Sequence, residues 1–233
     1  MPVVAYPSVH FPADRRACLR TVSLGVPGLL LSGWAPASLP GRPVGIALPR
    51  GVGPVSKALL SGVDLGVHDV TEAARLLGVS LVVARDEAAA DAPDAVPLVV
   101  TDADGPDGWT ASGASRPRIH TCRLAAWRRG AWSVASAAPD ASTCDWHEGL
   151  HAYGAGALNA RFQRRAGFPM DERAWRGWMA VKVAFDVALR AAAGEHEVTV
   201  LTFDGHKGRP LRFGEDGHLR QPTYGRPPRA ARG

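Results

Sequence analysis

Blocks of apolar residues separated by polar turns predict alternating strands and helices in the first part of the chain. The apolar run 43–48 (PVGIAL) predicts a buried strand, whereas 54–78 has apolar residues at helical spacing and stops at Gly78. Further apolar runs predict strands at 79–84, 96–100, 117–121 and 131–136. This order of elements predicts an α/β fold, a mostly parallel sheet flanked by helices.

The second half of the chain predicts two helices followed by extended segments. Residues 148–193 have helical spacing that is interrupted near Gly167, and Asp171 is placed to cap the second helix. Residues 197–203 predict a strand, and 209–222 predict a C-terminal β-hairpin with a Gly-containing turn.

The first residues have the order of an export signal. A basic stretch that includes Arg15 precedes an apolar stretch at 21–34, and small residues precede a cleavage point after Ala37. The apolar stretch is shorter than the roughly 20 residues that a membrane span needs. We therefore predict a signal peptide at 1–37, of the twin-arginine or the ordinary secretory type, and a periplasmic location for a single α/β binding domain at 38–233.

Composition limits the classes of partner. The chain has 233 residues, of which 46% are hydrophobic and 21% charged, as in globular proteins. Its net charge of +5 is mildly basic, and no Lys/Arg run is interleaved with aromatic residues, so we predict no nucleic-acid partner. After removal of the signal peptide Cys122 and Cys144 remain, either as a disulfide or as two buried thiols.

A zinc-protease pattern, H-E-x-x-H, occurs at 147–151. On a helix, His147 and His151 would share a face and bind zinc, with Glu148 as the general base. Gly149 weakens such a helix by about 1 kcal/mol. Asp171 or Glu172 stands at a spacing that a third ligand could have, but Gly167 and Pro169 break the helix in between. We therefore predict no metal site here, and a zinc hydrolase remains an alternative.

A family resemblance covers about 70 residues of the chain. It is carried by Trp146-His147, Tyr153-Gly154-Ala155, Leu158-Asn159-Ala160-Arg161-Phe162, Gly167-Phe168-Pro169-Met170 and the Trp175–Trp178 helix. The closing segment 203–222 and the short segment 118–121 also contribute. These residues resemble the periplasmic substrate-binding proteins associated with pyrroloquinoline-quinone (PQQ)-dependent alcohol dehydrogenases, which are similar to type I periplasmic binding proteins of ABC transporters.

The resemblance implies a protein without catalytic activity of its own. It implies a binding function in PQQ-dependent alcohol oxidation, with PQQ or another planar polyanion as ligand, and with ABC transporter components or a PQQ dehydrogenase as partners. Members of the family are much longer than 38–233, so the resemblance implies a reduced type I lobe. A metal or lanthanide site in the acidic segment 101–108 and a partner-binding module without a ligand remain alternatives.

A planar polyanion needs aromatic faces for stacking and arginine or lysine side chains for its carboxylates. In parallel sheets, ligands bind beyond the carboxyl ends of the strands. The predicted ligand-binding residues are therefore Arg50, Asp102, His120, Arg123, Trp127, Trp146, His147 and Lys207.

Overall fold

The computed structural model describes residues 44–48, 55–84, 95–102, 117–124, 130–137, 142–195 and 197–227. In chain order the helices and strands are β1 Val44–Ala47, α1 Lys57–Leu77, β2 Leu81–Ala84, β3 Ala95–Val99, β4 Arg118–His120, β5 Ala131–Ser133, β6 Thr143–Cys144, α2 Ala155–Ala166, α3 Glu172–Ala192, β7 Arg212–Phe213, β8 Leu219–Arg220 and β9 Tyr224–Gly225. Short 3₁₀ turns occupy Ala152–Gly154 and Val198–Val200. The predicted signal peptide at 1–37 lies outside the described residues.

The centre of the fold is a five-stranded sheet with the order β2-β1-β3-β4-β5. Each neighbouring pair in this sheet is parallel; Ile46 of β1, for example, pairs with Val83 of β2 and with Val96 of β3. The chain leaves β1 for β2 on one side and then places β3 on the other side, so the strand order reverses between β1 and β3. This is the order of one common doubly wound class, and the predicted α/β fold is confirmed.

Alternate strand residues face the helices and form the main core. Val44 and Ile46 of β1 and Leu98 of β3 belong to one buried cluster with Trp175 and Met179 of α3. The intervening positions point to the other face, because successive side chains of a strand alternate. That face has small residues in its centre, among them Ala47 and Ala95.

Helix α3 lies on the sheet and α1 lies against α3, and glycines allow this close packing. A methyl group added at Gly62 of α1 would lie 2.7 Å from the carbonyl carbon of Ala174 and closer still to its oxygen. At Gly177 of α3, an added methyl group would lie 2.9 Å from the backbone nitrogen of Val63. The two helix backbones therefore touch at positions where one of the two helices has a glycine.

Three predicted helix ends are confirmed, at Gly78, Gly167 and Asp171, whereas α1 begins at Lys57 and α2 at Ala155, later than predicted. Ser56 Oγ accepts a hydrogen bond from the Leu59 N–H at 3.2 Å, and Gly78 ends α1 in the left-handed conformation with φ 67°. Asp171 Oδ1 accepts from the Ala174 N–H at 2.9 Å at the start of α3. Gly167 ends α2 with φ 80°.

The C-terminal segment agrees with the prediction only in part. The hairpin is present in a short form, with Arg212 opposite Arg220 and Phe213 opposite Leu219. The strand predicted at 197–203 is wrong for most of its length, because Val198–Val200 form a 3₁₀ turn and only Phe203 makes a β-bridge, to Leu211. The alternating pattern of 197–203 is typical of a strand, but Val200 lies exposed in the 3₁₀ turn.

In the described ranges, no helix combines the length and the apolar character that crossing a membrane requires. The connections 103–116 and 125–129, which follow β3 and β4, lie outside the described residues.

Candidate functional site

The carboxyl ends of β3, β4 and β5 lie at one edge of the sheet, where ligands of doubly wound folds bind. Asp102 follows β3 at this edge. Its Oδ2 accepts a hydrogen bond from the Ser56 N–H at 2.5 Å, and its Oδ1 lies 3.5 Å from Arg173 Nε. Asp102 therefore fills the anion position at the start of α1 and links that helix to α3.

A threonine pair holds the ends of β3 and β4 together. Thr121 Oγ1 accepts a hydrogen bond from the Thr101 N–H at 2.9 Å and donates to the Thr101 carbonyl oxygen at 2.9 Å. Both residues are buried. These bonds fix the carboxyl ends of β3 and β4 relative to each other.

His120 is the last residue of β4 and is 7% exposed. Its neighbour Ile119 is in the helix-facing core, so His120 points to the opposite face, in register with Val99 and Ser133. Burial, with a contribution from the Arg118 charge, lowers the pKa of His120 to about 4. The ring is therefore neutral at neutral pH, and Nδ1 is buried without a hydrogen-bond partner in the described part of the chain.

Arg123 lies three residues further along, just beyond β4. Its Nε is likewise buried with no hydrogen-bond partner among the described residues. The other two predicted ligand residues near this edge, Arg50 and Trp127, lie outside the described residues. The structure thus places Asp102, His120 and Arg123 at one edge, but gives Asp102 partners within the protein.

Beyond β5 the same edge continues with Ser136 and Asp145, which the sequence analysis did not select. Asp145 is completely buried, and its Oδ2 accepts from the Ser136 N–H at 3.3 Å and from Arg176 Nε at 2.9 Å. Asp145 Oδ1 and Ser136 Oγ are both buried and have no hydrogen-bond partner in the described ranges. The Oδ2 side of the carboxylate therefore has two donors, and the whole carboxylate is closed to solvent.

Asp145 is held in its ionised form. Burial pushes its pKa upward, but the Arg176 charge, with a contribution from Lys207, outweighs burial, and the pKa lies below its usual range. Arg176 in turn pairs with Glu172 one helical turn earlier, and Glu172 also pairs with Arg226 at 3.2 Å. This network fixes the carboxylate because each charge has a partner.

Lys207 lies beneath the C-terminal segment and is 4% exposed. Its Nζ donates to three oxygens, the Asp145 carbonyl at 2.5 Å, Gln221 Oε1 at 2.6 Å and the Pro222 carbonyl at 3.2 Å. The ammonium group also lies 4.0 Å from the centre of the Trp175 ring. All three N–H groups are used within the protein, so Lys207 holds the C-terminal segment in place.

Trp146 was predicted on the rim of a pocket, and the structure instead places it in the core. It is 1% exposed, stacks on Trp175 at 5.8 Å between ring centres, and donates from Nε1 to Asn159 Oδ1 at 2.9 Å. Trp146 and Asn159, two of the residues that carry the resemblance, therefore bond to each other inside the protein. Neither the ring faces nor the N–H of Trp146 are presented to solvent.

His147 is half-buried and does not lie on a helix. Its Nδ1 accepts a hydrogen bond from the Gly149 N–H at 3.2 Å, and its ring meets the Tyr224 ring edge-on at 6.0 Å. Residues 147–151 form a turn before α2, so the helical face that H-E-x-x-H requires is not formed. In the part of the chain that the structure describes, no three His, Cys, Asp or Glu side chains gather as a metal site would require.

The two cysteines of the described ranges are both buried. Cys122 and Cys144 are buried thiols, which corresponds to the second of the two alternatives left by the sequence. Burial raises the pKa of Cys144, and its Sγ contacts the Tyr224 carbonyl oxygen at 3.7 Å. A protonated thiol in this position contributes to packing and not to nucleophilic chemistry.

The sequence offered some indication of the residues that we missed. Ser136 ends the apolar run 131–136, at the same relative position as the selected residues of the other strands. Asp145 directly precedes Trp146-His147, where the resemblance begins. The decisive partner Arg176 could not be found this way, because it comes from a helix 31 residues away in sequence. The chain matches no protein-family model, no curated protein and no solved structure.

Proposed function

We propose that the chain is a periplasmic solute-binding protein that binds PQQ or another planar polyanion at the carboxyl ends of β4 and β5, in support of PQQ-dependent alcohol oxidation. It carries no catalytic activity of its own in this proposal. The family resemblance supplies the ligand class, and the parallel sheet with its order β2-β1-β3-β4-β5 supplies the kind of edge at which such ligands bind.

One observation carries the proposal. Four buried side-chain atoms at this edge have no hydrogen-bond partner in the described residues, and they are His120 Nδ1, Arg123 Nε, Ser136 Oγ and Asp145 Oδ1. Each such atom costs about 1–3 kcal/mol when it stays unpaired. His120 and Arg123 lie at the end of β4, Ser136 lies beyond β5, and Asp145 follows β6 and bonds to the Ser136 N–H; this grouping supports a site that a ligand completes.

The distribution of charge favours an anion on the β4 side of this edge. Arg123 offers a guanidinium N–H, and His120 Nδ1 offers an N–H in one tautomer or when protonated. The start of α1, by contrast, already holds the Asp102 carboxylate, which would repel a second anion. A carboxylate of the ligand is therefore best placed beside His120 and Arg123.

Calorimetric titration of the purified protein with PQQ tests the proposal. Two or three charge-assisted hydrogen bonds of about 1.5–3 kcal/mol each, with stacking, give micromolar affinity, roughly −8 kcal/mol. Arg123→Ala should weaken binding roughly ten- to hundredfold. Arg164→Ala is the matched control, because Arg164 is exposed on α2 and should leave the affinity unchanged.

The pH dependence provides a second readout. A bound anion favours the protonated ring and so raises the pKa of His120 from its value of about 4. The affinity should therefore rise as the pH falls from about 7 toward about 5, and His120→Phe should abolish this rise. Absence of binding heat at high micromolar PQQ, in protein that is folded by circular dichroism, would contradict the proposal.

A further inference from the structure

Two residues with a strained backbone contact each other where the turn before α2 meets the closing segment. In the described ranges, only Tyr153 (φ 54°) and His206 (φ 58°) are left-handed without being glycine. They are 53 residues apart in the chain, and His206 Nδ1 lies 3.3 Å from the Tyr153 carbonyl oxygen. A left-handed backbone costs free energy in a residue with a Cβ atom, and such residues concentrate at ligand-binding and active sites.

The Tyr153 ring lies flat on the backbone of Gly208. A methyl group added at Gly208 would lie 2.5, 2.7 and 2.8 Å from the ring atoms Cε2, Cδ2 and Cζ of Tyr153. Three such similar distances place this methyl position above the ring and not at its edge. Gly208 is itself left-handed, with φ 77°, so its backbone conformation and its missing side chain both support the ring.

The rest of the Tyr153 side chain is open to solvent, because the residue is 72% exposed. A ring that stays in water contributes little to folding through burial. The strained backbone at Tyr153 therefore adds little stability, and its effect is to present a fixed aromatic face to solvent.

His206 is held next to this ring as a neutral hydrogen-bond acceptor. It stacks on Trp178 with 5.5 Å between ring centres, and its backbone N–H donates to Asp204 Oδ1 at 2.8 Å. Because a carbonyl oxygen only accepts, Nδ1 carries the hydrogen toward Tyr153, and Nε2 of the neutral ring is the acceptor. Burial lowers the pKa of His206, so the ring is neutral at neutral pH. No described residue bonds to Nε2, which is not among the buried atoms without a partner.

We infer that Tyr153 and His206 form a shallow surface site for a neutral pyranose sugar. The C–H face of a pyranose ring stacks on the negative face of the tyrosine, and a hydroxyl group of the sugar donates to His206 Nε2. The lone pair at Nε2 repels an anion. A cation is disfavoured because Lys182 Nζ lies 4.7 Å from the centre of the Trp178 ring, on which His206 stacks. This inference goes beyond the proposed function, because it concerns other residues and another class of ligand.

Saturation-transfer difference NMR on the purified protein tests the site. The probes are the methyl pyranosides of glucose, galactose and mannose, and glucitol is the control because it has hydroxyl groups but no ring face. We expect at least one pyranoside to give a saturable signal with a millimolar Kd, at least about tenfold tighter than glucitol. The same signal for all four compounds, or no signal from any of them with folded protein, would overturn the inference.

Substitutions at position 153 separate binding from folding. Tyr153→Phe keeps the ring face and should keep the pyranoside affinity within about threefold, whereas Tyr153→Gly should abolish binding. The Tm of Tyr153→Gly should stay within about 3 °C of the native value, because relief of the left-handed strain offsets the greater freedom of glycine in the unfolded chain. Leu76→Ala is the matched control, since Leu76 is 74% exposed on α1 and its loss should leave the pyranoside signal unchanged.

Two results would contradict the assignment to Tyr153. Native pyranoside affinity in Tyr153→Gly would show that the sugar binds elsewhere. A Tm that falls further than expected would show that the ring is a packing element, and the argument from strain would then fail. The test is independent of the proposed function, because a pyranoside that binds while PQQ does not would leave this site standing and remove only the solute-binding proposal.

Discussion

Replacement of Gly62 by alanine is a direct test of how α1 and α3 are packed. The substitution adds one methyl group at a point where the Ala174 carbonyl carbon and Cα would lie 2.7 and 2.9 Å away. These neighbours are backbone atoms and cannot turn aside as a flexible side chain would. Since carbon atoms prefer separations of about 3.5–4.0 Å, α3 would have to withdraw from α1 by roughly 1 Å.

The expected loss can be estimated from two opposing terms. Overpacking of a dense core costs about 1–3 kcal/mol, and the upper end applies because the contact is with backbone. Alanine recovers about 1 kcal/mol through its better helix propensity. The net loss of about 2 kcal/mol corresponds to a fall in Tm of about 4–8 °C for a protein of this size.

Urea and thermal denaturation followed by circular dichroism measure this loss. Gly156→Ala is the matched control, because it is also a helical glycine and the nearest atom to its added methyl would be 3.4 Å away, at His151. The control should be as stable as the native protein or slightly more stable. A Gly62→Ala protein with native stability, or two variants that lose the same amount, would refute the described packing.

Two further predictions concern Lys207 and the segment from His147 to His151. Burial lowers the pKa of Lys207 to about 7 from its ordinary 10.5. Between these pH values the unfolded chain binds more protons at this group than the folded protein does. The group therefore makes the free energy of unfolding rise with pH. Lys207→Met should remove that rise in urea titrations across the window, whereas Lys57→Met, at an exposed lysine, should keep it. Elemental analysis of untagged protein should find no stoichiometric zinc, since His147 and His151 lie in a turn; one zinc per chain that is lost in His151→Ala would show the opposite.

The parallel sheet could be predicted because its strands are local, strongly apolar runs. The apolar run 43–48 and the helix that ends at Gly78 are recognisable without any knowledge of their neighbours. The segment 197–203 has the same alternation, but there the tertiary structure decides: Val198 is buried, Val200 is exposed, and no neighbouring strand pairs with them in the described residues. Local pattern alone does not distinguish a strand from a segment that contains a 3₁₀ turn.

The candidate site was predictable only in part, for a similar reason. The position of His120 and Arg123 beyond β4 follows from the rule that ligands bind at the carboxyl ends of parallel strands. Trp146 and Lys207 were selected by residue type, and their type does not reveal that the tryptophan stacks in the core or that the ammonium is bonded to two backbone carbonyls and one side-chain amide. The partnership of Asp145 with Arg176 depends on how α3 lies against the loop before it.

The position of the closing segment determines when the molecule can finish folding. Residues 203–225 supply the β-bridge from His218 to Ser133, the Gln221 bond to the Val134 carbonyl oxygen and the Lys207 bonds to the loop at Asp145. These partners are 62 to 87 residues apart in the chain. During synthesis, β5 and the Asp145 loop therefore cannot complete their contacts until the last part of the chain has emerged. Contacts between such distant residues also form slowly. A chain that stops before residue 203 would leave this side of the sheet open to pairing with other chains.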